Sequence, residues 1–78
     1  MPRYFFHIRD KDNLEIDPEG LEFPDLESAV IDARMAAKEM LAERLMAGEQ
    51  LDGQRLEITD ERGATLETIT FRSVLNFH

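Results

Sequence analysis

The stretch DLESAVIDARMAAKEMLAERLMA, residues 25–47, decides the fold. It contains neither proline nor glycine and is built mostly from Ala, Leu, Met, Glu, Lys and Arg, which enter a helix at little cost. Leu26, Ala29, Val30, Ala33, Ala37, Met40 and Leu41 recur at steps of three and four. At about 100° per residue they form one stripe, the face of a helix that seeks a core. Asp25 is placed to cap the first turn with its carboxylate, and Glu27 suits the positive end of the helix dipole. Gly48 stands where helices commonly end in the left-handed conformation.

The segments on either side alternate with the period of strands. In residues 3–9, Tyr4, Phe6 and Ile8 point to one face and Phe5, His7 and Arg9 to the other. Asp10, Lys11, Asp12 and Asn13 make a turn, since short polar side chains bond their own backbone. Leu14 and Ile16 begin a short return strand, ended by Pro18, Glu19 and Gly20; Leu21, Glu22 and Phe23 are extended ahead of Pro24. Beyond the helix, residues 49–53 form a polar loop anchored by Leu51. A second hairpin follows: Leu56 and Ile58 alternate with Glu57 and Thr59, residues 60–63 turn, and residues 65–71 return with Ile69 and Phe71 toward the core. Residues 72–78 form a helical turn or ordered tail, with Val74 and Leu75 packing back. The order strand, strand, helix, strand, strand predicts an α+β two-layer sandwich. A four-stranded antiparallel sheet carries one long helix on one face, in a single domain over residues 1–78. The strand order 2-1-3-4 makes every pairing antiparallel.

A chain of 78 residues buries only about 60% of the surface its unfolded form exposes. Its stability is expected at about 4–12 kcal/mol, and pairing with a second copy would bury more. The formal charge of −8 works against the phosphate backbone of nucleic acids and against anionic membranes. The absence of cysteine excludes disulfides, thiolate metal sites and cysteine nucleophiles. It suits a reducing cytoplasm, the expected location. The residues before Asp10 leave no room for a signal-peptide core, and no apolar run approaches membrane-spanning length.

The opening Met1-Pro2-Arg3-Tyr4-Phe5-Phe6-His7 is distinctive. With it come Asp10, Gly20, the helix start Leu26-Glu27-Ser28-Ala29, and the segment from Leu51-Asp52-Gly53 to Thr59-Asp60-Glu61. Over nearly the whole chain these residues resemble a family of short, acidic bacterial proteins, common in alphaproteobacteria of soil and plants, classed as a domain of unknown function. The resemblance implies a bacterial source and assigns no catalytic or binding residue.

Two surfaces could carry a function. On the helix, Ile31, Met35, Ala42 and Met46 fall within roughly 60° of one another, nearly opposite the core stripe. Asp32, Glu39 and Glu43 flank them on one side and Lys38 on the other, which reads either as scattered surface apolars or as a contact face. On the open sheet face, Phe5, His7 and Arg9 join Glu15, Glu57, Thr59, Thr68 and Thr70. A ring and a cation on a sheet are the elements of a single-strand binding platform, but one ring among carboxylates reads better as cross-strand pairing of Arg9 or His7 with Glu15 or Glu57. His7 has no visible nucleophile beside it, so no catalytic residue is expected. Asp10, Asp12 and Asn13 lack the further ligands of a calcium loop, and Gly53 and Gly63 are turn glycines rather than a phosphate cradle. The expectation is therefore a non-enzymatic protein-interaction module without cofactor or metal. Its partner is a second copy of itself or another protein, met through Ile31, Met35, Ala42 and Met46. The alternative is nucleic-acid binding through Phe5, His7 and Arg9. No small-molecule ligand is specified.

Overall fold

The computed structural model describes residues 1–50 and 53–75. The chain forms β1 (Arg3–Asp10), β2 (Asn13–Glu15), β3 (Leu21–Glu22), α1 (Leu26–Met46), β4 (Arg55–Thr59) and β5 (Thr65–Thr70), followed by a 3₁₀ turn, Phe71–Leu75. The expected α+β architecture is the one formed, with a wholly antiparallel sheet in the order β2-β1-β4-β5. The expected count of four strands is corrected to five. Leu21 and Glu22, read as merely extended, pair with Tyr4 and Arg3 at the start of β1, while β2 pairs with its end. Leu51, expected to anchor a loop, lies outside the described residues, as do the tail residues 76–78 and the side chain of Leu75.

The core lies between the helix and one sheet face. Tyr4, Ile8, Leu56, Ile58 and Ile69 come from the sheet, Ala29, Ala33, Ala37 and Leu41 from α1, and Phe71 and Val74 from the 3₁₀ turn. Leu26, Val30 and Met40 pack against this cluster, so every residue of the helix stripe assigned to the core reaches it. Three of the buried helix positions are alanines four residues apart, which lets the helix axis sit close over the larger sheet side chains.

Both helix ends are closed as their residues dictate. The Ser28 N–H donates to Asp25 Oδ1 at 2.8 Å. Gly48 has φ +78°, its N–H donates to the Leu45 carbonyl at 3.1 Å, and the Glu49 N–H donates to the Arg44 carbonyl at 2.9 Å. That pair of bonds is a Schellman motif, which requires the left-handed residue that glycine supplies.

One facing differs from expectation. The two-residue turn at Lys11 (φ +58°) and Asp12 sets Ile8 opposite Glu15 and Arg9 opposite Leu14. Glu15 therefore lies on the helix side of the sheet, and Leu14 on the open face beside Arg9. In so short a strand, turn geometry overrides the hydrophobic alternation.

Candidate functional site

The outer face of α1 is the first candidate. Ile31 and Met35 are each 58% exposed and Met46 is 90% exposed; Ala42 is also exposed. More than half of each large side chain is thus unused by the core. Leu45, 52% exposed, belongs to the same face and was not singled out by sequence. Its signal was the 4-3-4-3 spacing of residues 31, 35, 38, 42 and 45, the seam of a helix pair. Asp32, Glu39 and Glu43 border the stripe on one side, while Lys38 falls inside it between Ala42 and Leu45; all four are exposed. The helix carries two apolar sides, and among the described residues only one of them is covered.

The open sheet face brings Phe5, His7 and Arg9 together, and each is already engaged. The Phe5 and His7 rings stack with centroids 6.3 Å apart and planes 25° from parallel. His7 Nδ1 accepts the Asp17 N–H at 3.0 Å, so the proton of the neutral ring sits on Nε2, 3.2 Å from Thr59 Oγ1. In that tautomer Nε2 donates to the threonine and cannot take a proton from it. The Arg9 Nε donates to Glu57 Oε2 at 2.8 Å, and the Arg55 Nε to the same oxygen at 3.2 Å. The Arg9 hydrogen bond, against the opposing effect of burial and with help from Arg55, holds the Glu57 carboxyl below its ordinary pKa. Arg9 thus finds one of its two expected partners, while His7 bonds the backbone of Asp17 rather than a carboxylate. The shallow groove beside Phe5 and His7, ≈ 280 Å³, is bordered by Asp17, Asp60 and Glu61.

Asp17 fixes the segment that crosses the edge of β1 between β2 and β3. Its carboxylate accepts N–H groups from Phe6, Glu19 and Gly20, each at 3.2 Å. Burial works to raise its pKa, but the three amides outweigh this and hold it below its ordinary value of 3.8. A carboxyl depressed in this way contributes stability above the unfolded value, and loses it as the pH falls through the folded one. Asp17→Asn, which presents one acceptor oxygen and a donor, is expected to cost about 1.5–3 kcal/mol at neutral pH. The variant should also lose less stability than wild type when the pH is lowered below 3.8. Urea unfolding at neutral and acid pH checks both; identical acid slopes would show that Asp17 is not the anchor.

Asp10, Lys11, Asp12, Asn13, Glu49 and Gln54 line an open cleft of ≈ 620 Å³. Its acidic groups have a cation nearby: Arg44 Nη1 lies 3.9 Å from both Asp10 and Glu49, with its guanidinium 5.8 Å from the centre of the Phe71 ring. Gln54 is buried and donates from Nε2 to Asp10 Oδ1 at 3.4 Å; its Oε1 finds no partner among the described residues. Asp10 and Asn13 close the hairpin turn, as expected of an Asx-rich turn. Among the described residues no group of three or more His, Asp or Glu side chains is placed to hold a metal ion, and no helix is long and apolar enough to cross a membrane.

Fold and surfaces together define a small antiparallel α+β sandwich with an apolar outer helix face. Residues 3–72 match the family described as Domain of unknown function (DUF6894), and the chain belongs to that family. The expected membership in a domain of unknown function is thereby met over residues 3–72. No curated protein and no solved structure is significantly similar to the chain.

Proposed function

We propose that the protein is a non-enzymatic interaction module, acting in the cytoplasm, that associates with a second copy of itself through the outer face of α1. The observation that carries this reading is the alignment of Ile31, Met35, Leu45 and Met46, each more than half exposed, along one side of a helix whose other side is fully used. Completing the burial of a half-exposed side chain of this size is worth about 1 kcal/mol. Across a two-fold interface the four residues count twice, on the order of 8 kcal/mol, which is comparable with the roughly 4–15 kcal/mol cost of association. The surplus of burial over that cost is at most about 4 kcal/mol, which gives a weak dimer in the millimolar range. The cysteine-free composition supports the cytoplasmic setting.

Met35→Glu tests the reading. A carboxylate in the middle of the stripe must be desolvated for the face to close, so association is expected to weaken at least tenfold. The side chain reaches solvent in the single chain, so the far-UV circular dichroism spectrum should be unchanged. A variant that sediments like wild type would mean that the helix face is not the interface.

A further inference from the structure

We infer that the two copies lay their α1 helices antiparallel, about a two-fold axis that passes between Lys38 and Glu39. This inference rests on the reading of the helix face as the contact surface. Its basis is the spacing of the exposed residues along α1. Ile31 lies as far before the point between Lys38 and Glu39 as Met46 lies beyond it, and Met35 as far before it as Ala42 beyond. The stripe is therefore centred on that point along the helix. It is centred around the helix too, because at about 100° per residue the mid-direction of the four residues bisects Lys38 and Glu39.

A half-turn about this point brings Ile31 opposite the second copy's Met46 and Met35 opposite the second copy's Ala42. Leu45 falls beside the second copy's Ile31. Each long side chain near the axis then meets a short one, and the match occurs twice by symmetry, which is what an isologous interface demands. Met adapts its three rotatable bonds to the space above the alanine. The parallel alternative sets Met35 against Met35 and Ala42 against Ala42, a crowded layer followed by a void, with the helix dipoles aligned unfavourably. The self-matching order of large and small residues is what identifies the occupant of the face as a second copy of this chain.

The chain has no cysteine, so introduced ones report without background. At an interaxial distance of about 8–10 Å, directly facing Cα atoms are roughly 3.5–5.5 Å apart, which overlaps the disulfide range. In the antiparallel pair, Met35→Cys faces Ala42→Cys. Two copies of the same variant hold their cysteines about 10 Å apart along the axis, beyond bridging distance. The expected result under mild oxidation is a cross-linked dimer when the two single variants are mixed, and none from either alone. Cross-linking of each variant with itself would overturn the antiparallel register and leave the helix-face dimer standing. No cross-link in any combination, from protein that sediments as a dimer, would place the interface elsewhere and overturn both. A monomeric wild type at all concentrations would likewise overturn both.

Discussion

Phe71→Ala is expected to remove a large share of the stability of the fold. Phe71 is 1% exposed and, with Leu56 and Ile58, among the largest fully buried side chains. It sits where β5 gives way to the 3₁₀ turn, and its N–H donates to the Gln54 carbonyl at 3.0 Å, tying the turn to the start of β4. Its ring also lies under the Arg44 guanidinium, so its removal strips a cation–π contact as well as the packing. Truncating a buried Phe costs about 3–5 kcal/mol. For a domain of this length the whole stability is about 4–12 kcal/mol, so the loss takes a large share of it and at the low end nearly all. Urea unfolding followed by circular dichroism, at one fixed protein concentration because dimerisation would add to apparent stability, reads the loss directly. A cost below about 1 kcal/mol would mean that the 3₁₀ turn is not part of the core.

Gly20→Ala is the second large effect, at about 2–4 kcal/mol, the sum of left-handed strain and overpacking. Gly20 has φ +69°, and a Cβ there would stand 2.8 Å from the Tyr4 carbonyl oxygen and 2.9 Å from two carbons of the Phe5 ring. The nearest atom is backbone in the middle of the sheet and cannot yield. Relief comes only by lifting the segment that Asp17 pins, which gives up the bond from the Phe6 N–H to Asp17 and the pairing of β3. Gly48 provides the control. Its φ is +78°, but a Cβ there meets nothing within 4 Å, so Gly48→Ala carries the conformational term alone, about 1 kcal/mol. Equal losses for the two variants would show that close approach at Gly20 plays no part.

These two positions also mark how far the sequence could be read. Long periodic elements were legible. The three- and four-residue steps from Leu26 to Leu41 named the helix core face correctly, and the alternation of Tyr4, Phe6 and Ile8 named the buried face of β1. Legibility failed where a short element answers to turn geometry. Leu14 and Glu15 exchanged faces because a two-residue turn fixes their register, and three residues of alternation carry too little apolar surface to resist it. Nothing local in Asp17 announces that it caps an edge amide eleven residues away, or that it locks the tautomer of His7 through its own N–H. The helix-face candidates were legible because exposure on a helix follows from angle alone. Leu45 lies outside the roughly 60° arc of the other four and belongs to the face only through the alternating spacing of residues 31, 35, 38, 42 and 45. The sheet-face trio was placed correctly, but its engagement by Glu57, Thr59 and Asp17 depends on tertiary pairing that the sequence does not display.

An acidic chain that binds its own copy keeps its apolar face matched to a like-charged surface, so the dimer should tighten as salt screens Asp32, Glu39 and Glu43. The most direct test of the account is the molar mass of the unmodified chain by sedimentation equilibrium from the micromolar into the millimolar range. The account predicts a rise with concentration from 9.0 kDa toward twice that value. A mass that stays at 9.0 kDa throughout would contradict it.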